Sequence, residues 1–286
     1  MPSASLKLLI LGAHPDDAEF HAGGLATLYR QQGATVKVVS VTNGAAGHQH
    51  SFGPELTARR RAEAAEAAAV IGASSAVWDF PDGRLEPTLR LRTCIIRELR
   101  LFAPDLVLTH RTNDYHPDHR AVGQAVQDAS YLVTVPAALP EVPHLPRDPV
   151  VVYMSDRFTR PRPLEPDVAI DVEPVLDTII EMLACHQSQV FDWLPYNRGA
   201  GDQVPADMAT RRKWLTEWFQ QRLAEQADRF REALIRCYGQ QRGQTIRYAE
   251  AFEASEHAGP LDAAARERLF GPILRGNAEV GMMNAE

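Results

Sequence analysis

The ordered pattern of the chain opens with a short apolar run, Leu6 to Leu11, bounded by Gly12. A continuous run of that length reads as a strand buried on both faces. His14-Pro15-Asp16-Asp17 follows, then a helical segment carrying Gly23 and Gly24. Thr35 to Thr42 is compact and β-branched, a second strand. Pro54 to Gly72 is an Ala-rich helix that stops on glycine. Ser75 to Phe80 forms a third strand, closed by the turn sequence Pro81-Asp82-Gly83. Thr88 to Phe102 is a helix, Asp105 to His110 another buried strand, and Ala121 to Tyr131 a further helix. Strands alternating with helices of this length predict βαβ units. The expected fold is therefore α/β and Rossmann-like, a mostly parallel sheet with helices on both faces. Right-handed crossovers place all the post-strand loops on one rim.

The second half carries weaker periodicity. Leu132 to Pro149 is rich in proline and apolar residues and reads as a loop over the rim. Val150 to Met154 and Val168 to Val172 are strand candidates, and Glu173 to Gln189 is a helix. Phe191 to Asp207 reads as a Trp- and Tyr-bearing loop suited to substrate selection. Ala209 to Tyr238 reads as one long amphipathic helix. Its Trp214, Leu215, Trp218, Leu223, Phe230 and Leu234 are available to the core or to a neighbouring subunit, which leaves a homo-oligomer open. Few signals follow Glu250, and the closing GMMNAE reads as a frayed end. The expected organisation is an α/β core over 1–207 with a C-terminal helical extension over 208–286 packed on it.

Composition narrows the function classes. A chain of 286 residues can bury a sizeable core. The net charge of −7 comes from mixed signs and gives no nucleic-acid footprint. Arg59-Arg60-Arg61 and Arg211-Arg212-Lys213 lie on predicted helices and read as solvated faces. Cys94, Cys185 and Cys237 are far apart, which fits buried free thiols in a reducing, cytoplasmic compartment. No apolar run reaches the roughly 18 residues of a membrane span, so no membrane partner is expected. The lead-in MPSASLK is too short and polar for a signal peptide. No G-x-G-x-x-G follows a strand, so dinucleotide chemistry is not expected.

Two clusters carry the chemistry. His14 to Asp17 stands at the carboxyl end of the first strand, where open α/β sheets keep ligand sites. Asn113-Asp114-Tyr115-His116-Pro117-Asp118-His119 stands in the same relation to the strand ending at His110. Either cluster alone also reads as a helix cap. Together on one rim they suit a catalytic metal, which needs three protein ligands and an open position for water, with a spare carboxylate as base. His48 and His50 read as exposed loop residues, His21 as a packed or surface helix residue, and His110 as a satisfied core histidine or one that orients a ligand. Arg60 and Glu63 stand one turn apart, as in a helix ion pair. Trp193, Trp214 and Trp218 read first as packing residues, with sugar stacking as a second use.

The segments AHPDDAEFHAGG and NDYHPDH resemble the two signature segments of the LmbE-like (PIG-L) deacetylases. Arg60-x-x-Glu63, Phe80-Pro81-Asp82-Gly83, Cys185-His186-Gln187-Ser188-Gln189 and Tyr248 to Phe252 are further, weaker matches. The resemblance implies a zinc-dependent N-deacetylase acting on N-acetylglucosamine-type amino sugars and releasing acetate. It implies His14, Asp17 and His119 as ligands of Zn2+ or another divalent metal, and Asp16 as general base. It implies a protonated His116 that stabilises the tetrahedral intermediate, and Asp114 and Asp118 as carboxylates that orient the histidines. Arg60, Asp82 and His186 become candidates for holding the site or the substrate. Two other readings stay open: a zinc hydrolase of a different amide or ester, and a non-catalytic Rossmann-like binding protein whose clusters only cap helices.

Overall fold

The computed structural model describes residues 5–283, with side chains described through residue 276. The readings of the first four residues and of the last residues of GMMNAE lie outside the described residues. The first half runs β1 (Lys7–Gly12), α1 (Asp17–Gln31), β2 (Thr35–Thr42), α2 (Gly53–Val70), β3 (Ser74–Phe80), α3 (Leu89–Phe102), β4 (Leu106–Thr109) and α4 (Pro117–Ala129). After it come β5 (Val150–Met154), β6 (Val168–Asp171), α5 (Leu176–Cys185) and the short α6 (Leu194–Asn197). The chain closes with α7 (Met208–Arg229), α8 (Arg231–Tyr238), α9 (Gln240–Thr245), β7 (Ala249–Ala254) and α10 (Ala263–Met283).

The strands form one sheet in the order β3-β2-β1-β4-β5-β7-β6. β3, β2, β1, β4 and β5 are parallel, as the alternation predicts, while β7 is antiparallel to both its neighbours. The apolar run of β1 is buried on both faces. Leu8 and Ile10 join the core under α1, α5 and α7, and Leu9 and Leu11 join the core under α3 and α4. The order reverses between β1 and β4, so connections leave these two strands to opposite sides. That leaves a crevice beyond their carboxyl ends.

Several expectations are corrected. Residues 132–149 do not cover the rim. They connect the end of α4 to the start of β5, at the opposite end of the sheet, and bury Val133, Leu139, Val142 and Leu145. Arg100 of α3 binds this segment through the carbonyls of Leu132, Val133, Val135, Leu139 and Val142. The helix expected over 173–189 breaks at His186, because Glu63 takes the amide and hydroxyl of Ser188. The chain resumes as a wide π-helical stretch, Ser188–Trp193, across the expected end of the helix and into the loop expected from Phe191. The long C-terminal helix breaks at Phe230. Tyr248 leads into β7, so the stretch beyond 208 supplies a strand to the sheet as well as helices. The cysteines are free, as expected, but half-buried rather than buried.

One departure within α1 matters for the site. Ala22 leaves helical geometry, so the helix restarts there with unpaired amides. Glu250 of β7 accepts from the amides of Gly24 and Leu25 at 2.7 and 2.9 Å. Gly24 has to be glycine, since a Cβ there would stand 2.4 Å from Val172 Cγ1.

Candidate metal centre

Two loops meet where the sheet order reverses. One leaves β1 at Gly12 and enters α1 at Asp17. The other leaves β4 at Thr109 and enters α4 at Pro117. Leu11 pairs with Thr109, so the loops start side by side.

Gly12 allows the first turn to close, because a Cβ there would stand 2.8 Å from that of Asp17. Asp17 Oδ2 accepts from the amides of Ala13 and His14 at 2.8 and 2.7 Å and lies 3.0 Å from His110 Nε2. Its carboxylate therefore serves the turn ahead of the helix. Asp16 occupies the cap position without a capping hydrogen bond, at φ +145°. A residue with a Cβ is strained there, and such strain concentrates at functional sites. Arg60 braces this turn, donating to the Pro15 carbonyl at 2.9 Å and standing 3.4 Å from Asp16 Oδ1. Helix capping thus does not describe the first cluster. In the second, His116 does cap α4, accepting from the Asp118 amide through Nδ1 at 3.2 Å.

Three side chains from the two loops converge. His14 Nδ1 lies 3.2 Å from His119 Nε2 and 3.6 Å from Asp17 Oδ2, and His119 Nε2 lies 3.4 Å from Asp17 Oδ1. Ligands about 2.0–2.1 Å from a tetrahedral ion stand about 3.3–3.4 Å from one another. The donor atoms are therefore spaced as neighbouring corners of one coordination sphere. The outer nitrogens of both rings face carboxylates. His14 Nε2 lies 3.3 Å from Asp118 Oδ2 and 3.4 Å from Asp82 Oδ1, and His119 Nδ1 lies 3.1 Å from Asp114 Oδ1. Outer nitrogens that donate there leave lone pairs pointing inward. Asp118 also accepts from the amides of Gly83 and Leu85, and Asp82 from those of Ala46 and Gly47. His14 with His116 and His119, and Asp17 with His110 and His119, are also close enough to share an ion.

The electrostatics call for a cation. Asp17, Asp82, Asp114 and Asp118 stand around His14 and His119, and among the aspartates of the site the buried guanidinium of Arg60 reaches only Asp16 and Asp82. Burial works against the protonated form of His14, but Asp118, Asp17 and Asp82 outweigh it and hold that form well above the ordinary imidazole range. Burial likewise opposes His119, yet Asp17 and Asp114 push it up to about 9. The excess carboxylate is relieved by protons on these rings, or by a divalent cation that displaces them. Burial of Asp16 outweighs Arg60 and raises its carboxyl to about 6. Burial, with His14 and His119 nearby, pulls His116 down, so the expected imidazolium is disfavoured. The neutral ring, with Nδ1 accepting, carries its proton on Nε2.

A cavity of about 700 Å³ opens over this centre, with Asp16, Asp17, His14, His116 and His119 in its wall. Arg60, Asp82 and Asp114 also line it. Asp118 is fully buried beneath it, and His186 is buried 3.2 Å from Glu19 without lining it. Arg60 and Glu63 are not partners: Arg60 turns to the site, and Glu63 to Ser188 and Arg59. His48 is buried, not exposed, with its Nδ1 accepting from the amides of His50 and Ser51. His110 stacks on His119, with ring centroids 3.9 Å apart. Trp193 lines the cavity, whereas Trp214 and Trp218 stack on each other beside the core. Sequence reasoning missed Tyr115, the Arg111–Asp156 pair and the arginines of α7. A signal for the last existed: Arg222, Gln226 and Arg229 recur at helical spacing beside the core-facing Phe219 and Leu223.

Residues 9–130 match the profile of the family described as PIG-L: GlcNAc-PI de-N-acetylase. The chain is 31% identical over 189 residues to 1D-myo-inositol 2-acetamido-2-deoxy-alpha-D-glucopyranoside deacetylase 2 of Saccharopolyspora erythraea, covering 56% of this chain and 68% of the relative. It is 27% identical over 210 residues to 4-oxalmesaconate hydratase of Pseudomonas putida, covering 70% of this chain and 80% of the relative. Among solved structures, N,N'-diacetylchitobiose deacetylase from Pyrococcus horikoshii shares the fold, with a TM-score of 0.68 and 20% identity over 89% of this chain and 85% of that one.

Proposed function

The chain belongs to the PIG-L (LmbE-like) family, and on that premise we propose that it is a zinc-dependent N-deacetylase of N-acetylglucosamine-type substrates. The observation that carries this reading is the convergence of His14, Asp17 and His119 beside the strained Asp16. His14, Asp17 and His119 would hold the metal. When bound, the ion polarises the substrate carbonyl and brings the pKa of water to about 7. Asp16 accepts a proton from the attacking water and returns it to the leaving amine; a carboxyl raised to about 6 serves both transfers near neutral pH. His116 donates through Nε2 to the developing oxyanion. Arg60 fixes the Pro15-Asp16 peptide, so that the base needs no reorganisation.

The test is acetate release from a panel of N-acetylglucosaminides by zinc-loaded protein beside Asp16→Asn. The variant is expected to lose about 10²–10⁴ in kcat while its bound zinc stays unchanged. Equal turnover in the two proteins would remove Asp16 from the mechanism, and no release from any member would remove the amino-sugar assignment.

A second reading has one specific observation behind it, the likeness to 4-oxalmesaconate hydratase. In that case Asp16 would take a proton from water as its oxygen adds to one carbon of a carbon–carbon double bond and return it to the other carbon. Loss of conjugated absorbance from an unsaturated acid, with no acetate formed, would favour it.

A further inference from the structure

Away from the metal centre the cavity wall is cationic. Arg222 and Arg229 of α7 line it with Arg157, which follows β5, and Arg198, which follows α6. Some of this charge is already answered. Arg157 pairs with Glu225, Arg229 donates to the Asp156 carbonyl, and the Asp156 carboxylate is taken by Arg111 at 2.6 and 2.8 Å. Arg198 lies over the Trp218 ring at 4.9 Å. Among the described residues, neither Arg198 nor Arg222 has a carboxylate within ion-pair distance.

Arg222 is the deeper of the two. Its Nε is buried with no hydrogen-bond partner. One terminal nitrogen stands 3.3 Å from His21 Nδ1. That same Nδ1 lies 3.1 Å from the Ser155 carbonyl, which can only accept. A ring that donates to Ser155 has no lone pair left there for Arg222. Burial, with Arg157 and Arg198 nearby, pulls this guanidinium down to about 10, so it remains charged at neutral pH. Glu225 and Glu250 act on it only from beyond ion-pair distance, and a buried charge without a paired counter-charge is costly until an anion reaches it. The position is close to the chemistry: the His21 and His110 ring centroids are 6.0 Å apart, and His110 touches Asp17.

We propose that this wall is an anion subsite, and that the substrate carries a carboxylate or phosphate held by Arg222 and Arg198 while its reacting bond lies at Asp16. The subsite rests on the unpaired guanidiniums. Its use in amide cleavage rests on the deacetylase reading above. Uncharged N-acetylated sugars fill the same cavity without answering the charge, and are poor substrates. A planar guanidinium grips either oxyanion through paired N–H groups, a grip that lysine does not reproduce.

The experiment uses zinc-loaded protein and three matched N-acetylglucosaminides, whose aglycones end in a carboxylate, a phosphate or the neutral methyl ester. One anionic member is expected to exceed the ester in kcat/KM on the order of 10²-fold, and which one it is identifies the group. In Arg222→Gln the gap should shrink to a few-fold, mostly through KM. Arg222→Lys should recover only part of it, and Arg198→Gln at the exposed mouth should lose less. Should Arg222→Gln fail to fold, these last two variants carry the comparison. Calorimetry with tricarballylate and with inorganic phosphate measures anion binding without turnover. Equal kcat/KM for charged and neutral members, or an anionic preference untouched by the Arg222 and Arg198 variants, overturns the subsite and leaves the deacetylase standing. Anion binding that needs Arg222, with no acetate from any member, keeps the subsite and overturns the deacetylase.

Discussion

At Asp118 a single buried carboxylate holds the amides of Gly83 and Leu85 with its two oxygens and also faces the outer nitrogen of His14. Removing it frees the imidazole to turn and leaves those amides unpaired. Asp118→Ala is expected to weaken metal binding about 10–100-fold, measured by competition against a chelator of known affinity. Asp118→Asn, which still accepts, should lose less. Unchanged affinity in the alanine variant would mean that Asp82 alone orients His14. The neighbouring Asp16 and Asp17 show how residue types fall short of roles. Burial opposes ionisation of both, but His119 and His110 hold the Asp17 carboxyl well below the ordinary range, while Arg60, His186 and His14 do not outweigh the burial of Asp16. Both histidine clusters are legible in the sequence because each is local, with its residues adjacent and following an apolar strand. The partners of Arg60 are not. Glu63 stands at the right helical spacing, and only tertiary placement sends Arg60 to Pro15 and Glu63 to Ser188.

At the scale of elements, α1 is two helical pieces joined at Ala22, and the second is capped by Glu250 from β7. Burial raises the Glu250 carboxyl to about 7 against those two amides. The folded state thus binds its proton more tightly than the unfolded chain, whose carboxyl titrates near pH 4.5. The contribution of Glu250 to stability is therefore complete below about pH 4.5 and is lost as pH rises to about 7. Urea unfolding at pH 5.0, 6.0 and 7.5 should show the advantage of the parent over Glu250→Gln shrinking with pH, by up to a few kcal/mol. A constant difference would place the carboxyl at an ordinary value. Periodicity predicts neither this break nor those at His186 and Phe230. Apolar spacing continues across each of them, and at two of the breaks contacts come from elsewhere in the chain: Glu250 to the amides of α1, and Glu63 to Ser188.

Over the whole molecule, the candidate centre draws on loops that follow β1, β3 and β4, so an ion there would tie three crossovers together. Chelation should lower Tm and added zinc should restore it. An ion at 1,000 times its Kd adds about 4 kcal/mol, on the order of 10 °C for a chain of this size. Scanning calorimetry with and without chelator decides, and an unmoved Tm would mean that the folded chain holds no ion. The parallel part of the sheet is legible because each strand announces the next helix. The place of β7 is not, since Met154 and Phe252 meet from distant parts of the chain with no local mark of the pairing. That late strand sets the order of events during synthesis. Until residues 249–254 have been made, β5 and β6 lack the partner between them, and the amides inside α1 have no Glu250 to receive them. Strands left open in this way are exposed to pairing with other chains. The helix that follows His14, Asp16 and Asp17 therefore waits for a cap that is translated 226 residues after Gly24.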